Sequence, residues 1–129
     1  MPAVLLDTHV LLWALVAPDR LSKRVMRLVS DRDTTLLVSA VSAWEISTKY
    51  RLNKLSDAAD VVVGYADHLR RLGADELPMT SVHALTAGAF EVDHRDPFDR
   101  MLAAQALHES VPLATTDPSF AGFPCRTIW

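Results

Sequence analysis

Four acidic residues stand where a chain of alternating strands and helices would place a reaction site. Asp7 follows the apolar run Ala3-Val4-Leu5-Leu6, and Glu45 follows Ser42-Ala43-Trp44. Asp99 follows Asp96-Pro97-Phe98, and Asp117 lies just beyond the run Val111 to Thr115. The set offers oxygen ligands only, with no Cys or His among them. Carboxylates held together repel and raise each other's pKa values, and a hard divalent cation, Mg²⁺ or Mn²⁺, removes that repulsion. Mg²⁺ keeps several waters and takes one or two carboxylates plus phosphate oxygens. The chemistry that suits such a cluster is phosphoryl transfer or phosphodiester hydrolysis, with the metal activating water and stabilising the leaving oxygen.

Each acid also has a purely structural account. Ser42-x-x-Glu45 spells a capping box, and Asp99 sits three residues after Asp96, in a first helical turn where the dipole favours an acid. Asp117 before Pro118 reads as an ordinary N-cap. Asp7 resists such an account because it ends a buried apolar strand, where an unpaired charge is costly. Thr8 and Thr116 each flank one of these acids, placed to hydrogen-bond a carboxylate or a metal-bound water, or simply to close a local turn. Arg95 and Arg100 are candidates for touching a phosphate, whereas His94 reads as plain surface. Arg20, Lys23, Arg24 and Arg27 form a stripe opposite the apolar face of a helix and read as a solvated face. Trp13 and Trp44 read as core.

The elements that must position these residues follow from periodicity. Ala3–Leu6 is an all-apolar run, as expected of a central parallel strand covered on both faces. Val10 to Ala17 reads as a buried helix ended by Pro18, and Leu21, Val25, Leu28 and Val29 as the face of an amphipathic one. Further strands are expected at Thr35–Val38, at Glu76–Met79 (a sheet edge, given Pro78), at Val111–Thr115 and at Arg126–Trp129. Helices are expected from Ser42 to about Leu52, from Asp57 to Leu72 with Gly73 as its stop, from Thr80 to about Phe90, and from Pro97 to about Glu109 with Asp96 as N-cap. The alternation predicts an α/β domain with a mostly parallel sheet of four to five strands. Ligands of such sheets bind beyond the carboxyl ends of the strands. If the strands are parallel, at least three of the acids share that edge, and Asp99 joins them if its helix starts there.

Composition bounds the rest. The 129 residues suit one domain spanning 1–129, and 50% hydrophobic content excludes a disordered chain. The lone Cys125 excludes an internal disulfide or a Cys-based zinc site and fits a reducing cytoplasm. The longest apolar run, Val10 to Ala17, is far short of the ~20 residues that span a bilayer. No basic residue precedes Arg20, so a signal peptide is not expected and the chain reads as starting at Met1. The formal charge of -3 argues against a general DNA-coating protein. Setting the four acids aside turns it into +1, a roughly balanced surface.

With these residues in place, the sequence resembles the PIN-domain ribonucleases, in particular VapC-type toxins of toxin–antitoxin pairs. The resemblance rests on Leu5-Leu6-Asp7-Thr8-His9, Ser42-Ala43-Trp44-Glu45-Ile46, His94 through Arg100 followed by Ala103-Ala104-Gln105-Ala106, and Thr115-Thr116-Asp117-Pro118. Each motif is short, but the ordered set spans nearly the whole chain. It implies a three-layer α/β/α fold and Mg²⁺- or Mn²⁺-dependent endoribonuclease activity. Asp7, Asp99 and Asp117 would be metal-binding, Glu45 would assist the metal or the attacking water, and Asp96 would be an auxiliary. It further implies an RNA substrate, a cognate VapB-type antitoxin and a homodimer. A haloacid-dehalogenase-type phosphatase would need an acid where His9 stands, and a receiver domain would need a Lys after its last strand. The remaining alternative is a non-catalytic α/β interaction module whose acids are helix caps.

Overall fold

The computed structural model describes residues 2–55 and 58–129. Five strands form one sheet: β1 (Ala3–Leu6), β2 (Thr35–Ser39), β3 (Ala74–Leu77), β4 (Leu113–Ala114) and β5 (Thr127–Ile128). Their order is β3-β2-β1-β4-β5 and every pairing is parallel, with Leu5 opposite Leu37 on one side and Leu113 on the other. The chain winds outward from β1 to β3 and then returns to β4 on the other side of β1, so the topological switch point lies between β1 and β4.

The described residues form seven α-helices: α1 (Thr8–Val16), α2 (Lys23–Ser30), α3 (Ala40–Arg51), α4 (Ala59–Val63), α5 (Tyr65–Leu72), α6 (Ser81–Ala89) and α7 (Pro97–His108). Alternation along the strands divides the core in two. Val4, Leu6, Leu36 and Val38 join Val10, Leu11, Val25, Ile46, Val61 and Leu69 on one face. Leu5 on the other face joins Val41, Leu102, Ala103, Ala106, Leu113, Phe120 and Phe123. An all-apolar β1 is therefore required, since its successive side chains serve opposite cores. The result is the expected α/β/α sandwich.

Several expectations shift. The helix expected over Asp57–Leu72 is two helices, broken at Gly64, whose low helix propensity follows the β-branched run Val61-Val62-Val63. Its expected start at Asp57 lies outside the described residues. Gly73 ends α5 at φ 77°, the left-handed stop that glycine adopts without strain. The edge strand β3 runs two residues earlier than expected, because Pro78 has no N–H to continue the ladder. Strand β2 extends to Ser39, whose hydroxyl accepts from the Val41 N–H at 3.0 Å, so α3 is capped by Ser39 and not by Ser42.

Trp13 is half-buried against Trp129, as expected of core, with the Arg20 guanidinium 4.6 Å from its ring centroid. Trp44 departs from expectation, being 56% exposed with its ring edge-to-face on Phe98. The basic stripe on and before α2 is exposed throughout, as expected of a solvated face. Among the described residues no helix is long and apolar enough to cross a membrane.

Candidate active site

Asp7, Glu45, Asp99 and Asp117 line one cavity of about 110 Å³ at the carboxyl edge of the sheet, together with Thr8, His9, Lys49 and Asp96. Each arrives by a different local device. Asp7 ends β1 and caps α1, its Oδ1 accepting from the Val10 N–H at 2.7 Å. Asp99 lies in the first turn of α7, where Asp96 is the N-cap and accepts from the Phe98 and Asp99 N–H groups. Asp117 caps the 3₁₀ turn Pro118–Gly122, accepting from both the N–H and the hydroxyl of Ser119. Capping is therefore a real role for Asp7, Asp96 and Asp117.

Glu45 has no such role. With Ser39 as the cap, it lies in the second turn of α3, beyond the reach of any N-terminal N–H, so the Ser42 capping box does not form. Its side chain is buried, Oε2 is bonded by the Lys49 ammonium, and Oε1 is sealed from solvent with no hydrogen-bond partner. A buried carboxylate oxygen left unpaired is costly.

The charges act on one another across the cavity. Burial pushes the Asp7 carboxyl up and the Glu45 charge adds to this, against hydrogen bonds from Thr115 and Val10 and the charge on His9. Burial likewise pushes Asp99 up, to about 6; Asp96 and Glu45 push the same way, and the His94 ring, 2.8 Å from Asp99 Oδ2, pulls back. Partial burial favours the neutral form of Asp117, but the Ser119 hydrogen bonds, with His94 and His9, outweigh it and hold that carboxyl below its ordinary value.

Placement of the remaining candidates differs from expectation in informative ways. Thr116 is exposed, and Thr115 takes the role foreseen for it, accepting from the Asp117 N–H at 3.0 Å and bonding the Asp7 side chain. Thr8 lines the cavity, but its hydroxyl pairs with Ser42 at 3.0 Å and so ties α1 to α3. Arg95 is exposed and precedes the cavity residue Asp96 in the chain. Arg100 is not available to a phosphate: its guanidinium donates to the carbonyls of Ala87, Phe90, Val92 and His94. His94, read as surface, is held against Asp99 instead. Lys49 was not anticipated, although a Glu followed four residues later by Lys on a helix is a legible pairing signal.

The donor set and the orphaned Glu45 oxygen fit a hard divalent cation. Among the described residues, only His83, His108 and Glu109 bring three ligand atoms within 4.8 Å of one another. No three of the cavity carboxylates bring their oxygens that close together. The His83 group is a latch between α6 and α7. Thr80 N–H donates to His83 Nδ1, which leaves the ring proton on Nε2, facing Glu109. A ligand must be deprotonated to bind metal, so with Asp99 as a ligand Mn²⁺ affinity would rise as pH rises through about 6, where Asp99 ionises. Calorimetric titration at pH 5 and 7.5 checks this, with tighter binding expected at the higher pH.

A profile of the PIN domain family matches residues 4–124. The chain is 31% identical over 121 residues to "Ribonuclease VapC22" of Mycobacterium tuberculosis, covering 91% of this chain and 88% of that one. It is 40% identical over 60 residues to "Ribonuclease VapC16" of the same organism, covering 46% and 41%. Among solved structures it resembles a chain of the crystal structure of VapBC2 from Rickettsia felis bound to a promoter DNA fragment, with a TM-score of 0.69 at 15% identity over 98% of this chain and 97% of that one. A chain of FitAcB from Neisseria gonorrhoeae superimposes with a TM-score of 0.53 at 20% identity, covering 98% and 96%.

Proposed function

Since the chain belongs to the PIN domain family and is related to the VapC ribonucleases, we propose that it is a divalent-metal-dependent endoribonuclease and the toxin of a toxin–antitoxin pair. The observation that carries this reading is Glu45, a buried acid with no capping role and one unpaired oxygen, lining the same cavity as Asp7, Asp99 and Asp117. An interaction module whose acids are only caps has no use for it.

In this reading Asp7, Asp99 and Asp117 hold Mg²⁺, or Mn²⁺ in its place, directly or through water, with Asp96 as auxiliary. A metal held there would supply an activated water and stabilise the leaving oxygen. Glu45 orients or deprotonates the attacking water, and the product is a cleaved RNA phosphodiester with no covalent enzyme intermediate. Thr115 joins Asp7 to the Asp117 backbone, and Thr8 ties the start of α1 to α3. Exposed Arg95 is the remaining candidate for a substrate phosphate. We read the chain as one domain acting in the cytoplasm.

The partner follows from the danger of an unchecked ribonuclease. A VapB-type antitoxin is expected to set an Arg or Lys among the acids, because a guanidinium pairs carboxylates bidentately. Next to the cavity, sharing His9, lies a larger groove of about 560 Å³ walled by Leu12, Trp13, Val16, Leu55 and Val61. A homodimer is expected as well, and light scattering measures it.

The reading is tested by mapping cleavage of total RNA with Mg²⁺ and with excess EDTA. Cuts that require the metal support it, and cuts undiminished by EDTA overturn the metal-dependent mechanism. Expressed alone in a bacterium, the soluble protein is expected to arrest growth. Normal growth with all four acids intact would make the toxin reading untenable.

A further inference from the structure

Glu45 cannot hold its place in the cavity unaided. It is a flexible three-torsion side chain on a helix, and a buried carboxylate is costly to keep charged without a partner. Its charge is also felt by both Asp7 and Asp99. One turn further along α3, Lys49 pairs its ammonium with Glu45 Oε2. The Lys49 side chain is 28% exposed against 4% for Glu45, so the ammonium reaches inward from the cavity rim. The pairing uses one carboxylate oxygen and leaves the other, Oε1, buried and free. Glu before Lys at this spacing is also the order that a helix favours.

Resting on the ribonuclease reading above, we propose that Lys49 is a positioning residue for the reaction: it locks the Glu45 carboxylate into one orientation, with Oε1 kept unpaired for the chemistry. Lys49 acts through Glu45 and touches neither RNA nor metal. A neutral side chain at position 49 releases the lock and leaves a buried charge without compensation.

The test is a double-mutant cycle on the full chain with Lys49→Met, Glu45→Gln and the double variant, together with Lys49→Arg. Cleavage is followed at single turnover with excess enzyme and Mn²⁺, so that residual rates stay measurable. Lys49→Met is expected to lower the maximal rate on the order of 10²-fold, the scale of a misplaced catalytic group. The RNA concentration for half-maximal rate should move by less than about twofold, as for an interaction that does not bind the ground state. Lys49→Arg recovers most of the loss, because it restores the cation. In the Glu45→Gln background Lys49→Met has no further effect. Equal losses in both backgrounds, or weaker RNA binding at an unchanged maximal rate, would mean that Lys49 meets the RNA itself and would overturn the proposal.

Thermal unfolding of the same variants is the readout independent of activity. Lys49→Met lowers the melting temperature when Glu45 is present and not when Gln replaces it; no difference between the backgrounds overturns the lock. If the wild type cleaves no RNA, the ribonuclease reading fails, and the thermal cycle alone then decides whether Lys49 holds Glu45.

Discussion

Asp99→Asn is expected to reduce RNA cleavage by on the order of 10³-fold or more, since the charge stabilisation a bound metal provides is worth several kcal/mol. The same change is expected to stabilise the metal-free protein at pH 7. Burial, Asp96 and Glu45 hold the folded Asp99 carboxyl at about 6, above its ordinary 3.8. A raised folded pKa contributes stability that is fully present below the unfolded value and is lost as pH rises through the folded one. The metal-free wild type therefore loses stability between about pH 4 and pH 6, and the Asn variant does not lose this contribution. Asp7→Asn should behave alike in both respects, its carboxyl being pushed up by burial and by Glu45. Asp117→Asn should lose cleavage without gaining stability, because that carboxyl is held below its ordinary value by the Ser119 hydrogen bonds. Cleavage rates and melting temperatures of the three variants, with and without Mn²⁺, check the set. Near wild-type cleavage by the Asp7 or Asp99 variant would exclude this cavity as the reaction site.

Arg100→Ala should have the largest effect on stability of any change near the site, although Arg100 touches no catalytic group. Its guanidinium donates to four carbonyls, Ala87, Phe90, Val92 and His94, and so ties the end of α6 and the loop before α7 to the first turn of α7. Hydrogen bonds to a charged group are each worth about 1.5–3 kcal/mol, and they share one side chain here, so we expect a total loss of about 3 kcal/mol. In a chain of this length that lowers the melting temperature by on the order of 10 °C. Lys at this position should restore little, because one ammonium cannot reproduce a planar fork. Cleavage should fall too, since the loop carries His94 onto Asp99. Thermal melts of Arg100→Ala and Arg100→Lys decide the matter, and a loss confined to RNA binding at unchanged stability would return Arg100 to the role of a phosphate contact.

The fold and the edge that gathers the four acids were legible because they depend on patterns of period and position. An unbroken apolar Ala3–Leu6 predicts a strand buried on both faces, and the two cores that meet at β1 are what make it so. Asp96-Pro97 and Asp117-Pro118 announce element starts by chemistry that is local to the backbone. Parallel strands then bring residues 7, 45 and 117 to one edge, and Asp99 joins them because α7 starts there.

The partner of each polar group was decided elsewhere. Ser39 and Ser42 are both able to cap α3, and only the end of β2 selects Ser39, which frees Glu45 from a capping role. Thr115 and Thr116 are adjacent and chemically alike, and strand alternation decides which of them faces Asp7. Arg100 could have faced solvent, a phosphate or a loop, and four carbonyls gathered from residues 87 to 94 claimed it. Local hydrogen bonds and hydrophobic periods are written in neighbouring residues and survive being read one segment at a time. A charged or hydroxyl side chain has several near-equal local choices, and only the packing of distant segments makes one of them the lowest in free energy.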